Sequence, residues 1–219
     1  MNRRTLLLGG VALAALGAVA YSTGGTDGNL LVGMADAQEA DPSAIADMVM
    51  GAEDAPVEMI EYASYTCPHC ANFHATVWPQ LKADYIDTGK VRFIYREVYF
   101  DRFGLWASMI ARCGGEMRFF GITDEIYNKQ RSWTASGDPA TIAQELQTIG
   151  KTAGLSEEQV TACMSDAQTA QNLVAWYEQN AEADNIRSTP SFLIDGEPYS
   201  NMAWDEMKAI LDERIAAAG

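Results

Sequence analysis

The hydrophobic pattern follows two periods, and the first part of the chain alternates between them. Residues 57–64, VEMIEYAS, form an apolar run behind Pro56 that predicts a buried strand. Residues 91–98, VRFIYREV, are rich in β-branched and aromatic side chains and predict a second strand. Between these strands a helix is expected to begin just after Cys67, and Pro79 is expected to kink or end it. The apolar positions of that helix are Phe73, Val77 and Leu81.

A helical period then holds from about residue 103 to 184 and predicts an inserted all-helical subdomain. Asp138 before Pro139 predicts an N-cap followed by a first-turn proline. Ser156 and Gln159 have the spacing of a capping box. The first apolar stripe of this block contains Trp106, Met109, Ile110, Cys113 and Met117.

Strand character returns near the end of the chain. The stretch SFLIDGEPYS has two short runs around Asp195-Gly196, a dipeptide that favours a hairpin turn, and an amphipathic helix follows. The predicted order is therefore β-α-β, a helical block, and β-β-α. A βαβ crossover makes the first two strands parallel, and the hairpin adds antiparallel strands. We predict an α/β fold with a mixed central sheet, helices on both faces and an inserted helical subdomain.

The first residues have the pattern of an export signal. Arg3 and Arg4 precede an apolar stretch over residues 6–20 that is short for a membrane span. The paired arginines are typical of a Tat signal but also occur in Sec signals, so both routes stay open. We interpret residues 1–37 as the signal, with cleavage after Ala20 or Ala37, or as an uncleaved membrane tether. Residues 38–55 are interpreted as a linker, and residues 56–219 as the folded domain.

Charge and cysteine content narrow the function. The chain has 219 residues and a net charge of −15, without the basic patch that a nucleic-acid partner requires. Export leads to an oxidising compartment, where four cysteines, an even number, can form disulfides. We therefore expect a protein of the periplasm that does not bind nucleic acid.

The stretch CPHC is the strongest chemical motif in the chain. Cys67 and Cys70, three positions apart at a helix start, are close enough to form and break a disulfide with little backbone movement. The helix N-terminus stabilises a thiolate at Cys67, and His69 adds a donor or a positive charge. A stabilised thiolate makes the disulfide a stronger oxidant. A metal site formed by both cysteines, His69 and His74 remains an alternative, although four ligands so close in sequence, stiffened by Pro68, make a poor cage.

CPHC after a strand, the helical insertion and STPSFLIDG together resemble the DsbA-like thioredoxin-fold disulfide oxidoreductases of bacterial envelopes. The resemblance covers residues 56–217. It implies that Cys67 is the exposed nucleophile and Cys70 the buried resolving cysteine. It also implies that Thr189-Pro190 is a cis-proline loop beside the dithiol, where the Thr189 main chain pairs with an extended substrate segment.

The same resemblance suggests roles for residues outside the motif. Glu61 occupies the place of a buried acid that exchanges a proton with Cys70, and a solvated strand residue is the alternative. Arg96 is a candidate basic partner for Glu61. His74 is interpreted as a helix-surface histidine.

Cys113 and Cys163 lie in the helical block. The resemblance implies that they form a second, structural disulfide, and two buried free thiols are the alternative.

The leading functional hypothesis is a thiol:disulfide oxidoreductase that introduces disulfides into exported cysteine-containing polypeptides through Cys67 and Cys70. The resemblance implies reoxidation by a quinone-linked, DsbB-like membrane partner, and no bound cofactor or metal. We expect a monomer. A reductase or isomerase on the same fold is one alternative, and a metal-binding or interaction module is another.

Overall fold

The structure is a computed structural model, and it describes residues 39–219. The predicted export signal and its cleavage sites lie outside the described residues. None of the helices within residues 39–219 combines the length and the apolar character that crossing a bilayer requires.

The centre of the fold is a mixed sheet, as the strand pattern predicts. The described strands are β1 (Met48–Met50), β2 (Val57–Ala63), β3 (Val91–Glu97), β4 (Ser191–Ile194) and β5 (Glu197–Ser200). Their order in the sheet is β1-β3-β2-β4-β5; β2 and β3 are parallel, and every other neighbouring pair is antiparallel.

Among the described residues, two α-helices connect β2 to β3, six form a long block between β3 and β4, and one follows β5. The described α-helices are α1 (Pro68–Thr76), α2 (Trp78–Leu81), α3 (Arg102–Cys113), α4 (Glu116–Asn128), α5 (Gln130–Trp133), α6 (Pro139–Thr152), α7 (Glu157–Ser165), α8 (Ala167–Ala183) and α9 (Trp204–Ala218). A π-helical turn, Lys82–Ile86, continues α2. The predicted fold class, a thioredoxin fold with a helical insertion, is confirmed.

Several local sequence signals act where they were predicted to act. α1 ends before Pro79, which lies in the first turn of α2. Asp138 caps α6, and Ser156 with Gln159 forms the capping box of α7. Asp195 and Gly196 both have positive φ, 49° and 80°, as a tight hairpin turn between β4 and β5 requires.

The interpretation of residues 38–55 as a linker misses an edge strand. β1 lies inside that range and pairs with β3, with Met48 opposite Tyr95 and Met50 opposite Phe93. Three residues give too short a pattern to predict a strand, and the pairing partner supplies the stability instead. Gly51 ends β1 with φ of 103°, and a Cβ there would overlap the Val91 carbonyl oxygen. The folded domain therefore begins before residue 56.

Cys113 and Cys163 join α3 to α7. The structure has a disulfide between them, with their Cα atoms 5.9 Å apart and 50 positions between them in sequence. Both helices belong to the insertion, so the bond closes a loop within the helical block and does not join that block to the sheet.

Candidate active site

The two cysteines of CPHC lie where a buried strand turns into a helix. β2 ends at Ala63, and Cys67 is the N-cap of α1 with extended backbone angles. Pro68 occupies the first helical position, where its missing N–H costs no hydrogen bond. Cys67 retains 8% exposure and Cys70 none, so Cys67 is less open than the resemblance implies. The side chains of Pro68 and His69 are exposed.

The surroundings of Cys67 lower its pKa and favour the thiolate. The hydrogen bond from the Cys70 thiol lowers the pKa of Cys67 most, while burial opposes the shift. The backbone N–H groups of Cys70 and His69 lower it further, and the pKa of Cys67 falls to about 5. The contribution of His69 is therefore its backbone N–H at the helix start.

The pKa of Cys70 is shifted in the opposite direction. Burial raises the pKa of the Cys70 thiol far above its ordinary value, and the hydrogen bond to Cys67 and the charge of Glu61 raise it further. Both cysteines are free thiols in this structure. The dithiol is thus asymmetric: Cys67 ionises readily, and Cys70 keeps its proton.

The loop before β4 lies against the dithiol. The Thr189–Pro190 peptide is cis, and the Thr189 carbonyl oxygen is 3.5 Å from Cys67 Sγ. Pro190 is buried, and Thr189 Oγ1 is buried without a hydrogen-bond partner among residues 39–219. The structure therefore brings Thr189 and Cys67 together across 122 positions of sequence.

Glu61 is buried below the dithiol and is paired with a histidine. Its side chain has no exposure, and its two oxygens are 3.2 and 3.1 Å from His74 Nε2. The interpretation of His74 as a surface residue is wrong, because α1 turns the face that carries Cys70 and Phe73 towards the sheet. The sequence signal was present: His74 lies three positions before Val77, on the same apolar stripe.

Arg96 is not the partner of Glu61. In the parallel pairing of β2 and β3, Glu61 is opposite Tyr95 and Tyr62 is opposite Arg96. Neighbouring strand residues face opposite sides of a sheet, so Arg96 and Glu61 lie on different faces. Arg96 instead donates hydrogen bonds of 2.9 Å to each Asp47 carboxylate oxygen and 2.8 Å to the Tyr62 hydroxyl, and one of 3.1 Å to Asp184.

Gln130, at the start of α5, was not predicted as a site residue. Its Nε2 donates to the carbonyl oxygens of Tyr65 and Cys67, at 2.8 and 2.9 Å, and the side chain is buried. The contact connects the helical insertion with the loop that contains Tyr65 and Cys67. A glutamine in a polar helical segment has no distinguishing sequence pattern, so only the tertiary structure reveals it.

We expect Gln130→Leu to lower the free energy of unfolding by about 1–3 kcal/mol, because it removes a donor from two carbonyl oxygens in a buried site. The exposed Gln144 on α6 provides the matched control, and Gln144→Leu is expected to change stability by less than about 0.5 kcal/mol. Urea denaturation of the oxidised proteins measures both. Equal losses in the two variants would show that the Gln130 contacts do not support the loop.

A metal centre has no ligand set at this site. Within residues 39–219 no group of three or more histidine, cysteine or acidic side chains is arranged to hold a metal ion. Of the side chains that the sequence suggested as ligands, His69 is exposed at the surface, whereas His74 is buried and lies within hydrogen-bond distance of Glu61.

Comparisons with known proteins agree with this architecture. Residues 43–213 match the family described as thioredoxin. A Rickettsia bellii protein, named provisionally as a protein-disulfide oxidoreductase, is 35% identical over 170 residues, which are 77% of this chain and 64% of that protein. The chain thus spans just under two thirds of that relative. Disulfide bond formation protein D of Bacillus subtilis is 26% identical over 191 residues, 82% of each chain.

Solved structures show the same arrangement of the sheet and the helical insertion. Wolbachia pipientis alpha-DsbA1 is similar with a TM-score of 0.70 and 28% identity, over 78% of this chain and 92% of that chain. BdbD of Bacillus subtilis has the same fold, with a TM-score of 0.69 and 21% identity over 78% of this chain and 93% of that chain. The chain therefore belongs to the thioredoxin family, within its DsbA-like members.

Proposed function

We propose that this protein is a thiol:disulfide oxidase that introduces disulfides into other polypeptides through Cys67 and Cys70. The observation that carries the proposal is the asymmetry of the dithiol, in which the pKa of Cys67 is lowered to about 5 and that of Cys70 is raised. A stabilised Cys67 thiolate stabilises the reduced protein relative to the disulfide. The Cys67–Cys70 disulfide is then readily reduced, and it oxidises its substrate in return.

The reaction has two exchange steps. A substrate thiolate attacks Cys67 Sγ, the Cys67–Cys70 bond breaks, and Cys70 leaves and takes up a proton. A second substrate thiolate then attacks the substrate sulfur of the mixed disulfide and releases Cys67 as a thiolate. Two electrons pass from the substrate dithiol to the protein, and the substrate gains one disulfide. The cysteine residues supply this chemistry without a bound cofactor.

The position of each group supports this sequence of events. Cys67 keeps some exposure for the incoming sulfur, whereas Cys70 is enclosed and reacts only with Cys67. The Thr189 carbonyl oxygen beside Cys67 Sγ is available to accept a backbone hydrogen bond from an extended substrate segment. Pro68 follows Cys67 at the start of α1, and Pro190 follows Thr189 in the cis peptide. We assign these four residues and Cys70, together with His69 and Glu61, to the catalytic site.

We further infer that the substrates are exported cysteine-containing polypeptides in the periplasm. The signal pattern of residues 1–37 and the even number of cysteines support this compartment. The reduced protein needs an electron acceptor to act again, and a quinone-linked membrane protein of the DsbB type has the chemistry required. The names of the DsbA-like relatives support the same role.

Two measurements on the purified protein test the proposed oxidase. Alkylation of the reduced protein by iodoacetamide is expected to rise with pH around a midpoint near 5, because the reagent attacks the Cys67 thiolate. Equilibration with glutathione buffers is expected to give a potential well above the approximately −270 mV of thioredoxin. An alkylation midpoint near the ~8.5 of free cysteine, or a potential at the thioredoxin value, would refute the oxidase and favour a reductase.

A further inference from the structure

The loop over residues 184–190 joins the end of α8 to β4 and brings Thr189 to the dithiol. Within the described chain, hydrogen bonds attach this loop at two places to elements other than α8 and β4. At one place the Thr189 carbonyl oxygen is 3.5 Å from Cys67 Sγ. At the other, the start of the loop, the Asp184 carboxylate accepts hydrogen bonds from β2 and β3. Asp184 is therefore the point at which the sheet holds this loop.

Two side chains donate to the same oxygen of Asp184. The Tyr62 hydroxyl donates to Oδ2 at 2.5 Å, and the Arg96 guanidinium donates to it at 3.1 Å. Arg96 also donates to the Tyr62 hydroxyl oxygen at 2.8 Å, so the three side chains form a closed ring of hydrogen bonds. Burial raises the pKa of Tyr62, and the hydrogen bond to Asp184 raises it further, so the hydroxyl keeps its proton and acts as the donor.

Arg96 is itself fixed by a carboxylate that precedes β1. Its Nε and Nη2 atoms donate to the two oxygens of Asp47, each at 2.9 Å, and a bidentate pair of this kind fixes the plane of the guanidinium. Exposed ion pairs contribute little to stability, but this group is largely enclosed. Tyr62 is fully buried, and the side chains of Arg96 and Asp184 are 16% and 27% exposed. The network therefore holds Asp184 in a defined place.

Tyr62 also connects the other end of the loop to the same strand. In the antiparallel pairing of β2 and β4, Tyr62 lies opposite Ser191, which directly follows Pro190. Ile186, in the middle of the loop, packs against the small buried cluster that contains Tyr62. β2 is also the strand that leads to Cys67. The loop and the reactive sulfur are thus both positioned from β2.

We propose that Asp184 is a positioning residue for the substrate: held by Tyr62 and Arg96, it fixes the start of the loop and so sets the place of the Thr189 carbonyl oxygen beside Cys67. An extended polypeptide that pairs its main chain with this oxygen then presents its own sulfur to Cys67 Sγ in a suitable orientation. When the Asp184 contacts are lost, this oxygen no longer has a fixed place. The role rests on the proposed oxidase function.

Two reductants separate the positioning of the substrate from the reactivity of the sulfur. Dithiothreitol has no peptide group, whereas a short extended peptide with two cysteines can pair with Thr189. Both reduce the Cys67–Cys70 disulfide in the same steps: one thiolate attacks Cys67 Sγ, Cys70 leaves and takes up a proton, and the second thiolate releases Cys67. The dithiol is oxidised to a disulfide in either case. A defect confined to the peptide therefore reports on the loop and not on the dithiol.

The experiment mixes the oxidised full-length protein with an excess of either reductant, and peptide mass spectrometry after acid quenching and alkylation follows the free thiols of Cys67 and Cys70. We expect Asp184→Ala to lower the second-order rate constant for the peptide about tenfold, because misplacement of a binding group by about 1 Å costs up to about 100-fold. The rate constant for dithiothreitol, which does not use the loop, should stay within about twofold of that of the unsubstituted protein. Tyr62→Phe keeps the packed ring and the Arg96 donor, so it should slow the peptide reaction by less.

Two further variants serve as controls. Asp184→Asn retains a side-chain oxygen that can accept both hydrogen bonds, and it should keep the rate constant for the peptide within about twofold. The Tyr85 hydroxyl donates to Asp212 at 2.6 Å, a matched tyrosine–aspartate hydrogen bond between the π-helical turn and α9. Tyr85→Phe should therefore leave both rate constants unchanged.

Three results would overturn the positioning role of Asp184. They are an unchanged peptide reaction in Asp184→Ala, equal slowing of the peptide and dithiothreitol reactions in that variant, and selective slowing of the peptide reaction in Tyr85→Phe. The redox potential of the unsubstituted protein tests the oxidase separately. A potential at the thioredoxin value would refute the oxidase and leave the ratio of the two rate constants unaffected, so the two proposals can fail independently.

Discussion

A Cys70→Ser variant is expected to form stable mixed disulfides through Cys67 that the unsubstituted protein forms only transiently. Cys67 keeps the helix N-terminus and the nearby N–H groups that favour its thiolate, but no second sulfur is left to release the bound partner. Oxidation of a reduced dithiol peptide should fall to the uncatalysed rate. Mass spectrometry after exposure to oxidised glutathione should find one glutathionyl group on nearly every molecule.

Cys67→Ser provides the control for this experiment. Its remaining active-site sulfur, Cys70, is fully buried and has a raised pKa, so this variant should acquire almost no glutathionyl group under the same conditions. Adducts at Cys70 in Cys67→Ser would reverse the assigned roles of the two cysteines. Oxidase activity retained in Cys67→Ser would exclude the dithiol mechanism altogether.

Replacement of both Cys113 and Cys163 by alanine is expected to lower the free energy of unfolding by about 4 kcal/mol. The disulfide closes a loop of 50 residues, and its removal returns that conformational freedom to the unfolded chain. Urea denaturation of the air-oxidised proteins provides the measurement, with Cys67 and Cys70 in the same oxidised state in both. This is a large part of the stability of a domain of this size.

The alkylation midpoint of Cys67 should stay near 5 in the Cys113/Cys163 double variant, because the groups that lower its pKa lie on α1. A loss of stability below about 1 kcal/mol would show that the two sulfurs do not form a bond in the purified protein. The alternative that the sequence left open, two free thiols, would then hold, although both side chains are only partly buried.

Local patterns predicted those parts of the fold that depend on local interactions. The Asp195-Gly196 turn, the capping box at Ser156 and the break at Pro79 each follow from residues within a few positions of one another. β1 has only three residues, and it forms because β3 offers a free edge. A pattern confined to one segment does not contain that information.

In the candidate site, too, local sequence predicted the local motif but not the long-range contacts. The CPHC motif at a helix start indicates a reactive dithiol on physical grounds, while the position of Thr189 beside Cys67 came only from the resemblance. The prediction of Arg96 as the partner of Glu61 was wrong, because strand register decides which side chains share a face of the sheet. Register cannot be obtained from the sequence of one strand alone. Gln130 acts through a contact between α5 and a loop 63 positions earlier in the sequence, beyond any local signal.

The 122 positions between Cys67 and Thr189 have a consequence for biogenesis. Cys67 is synthesised early, and all of the helical block must follow before the Thr189 loop and β4 exist to cover it. In that interval Cys67 and Cys70 share the growing polypeptide with Cys113 and then Cys163, and any two of the four could pair in an oxidising compartment. A protein with the proposed exchange activity must therefore first avoid mispairing its own cysteines, and this risk ends only when folding buries Cys70 and pairs Cys113 with Cys163.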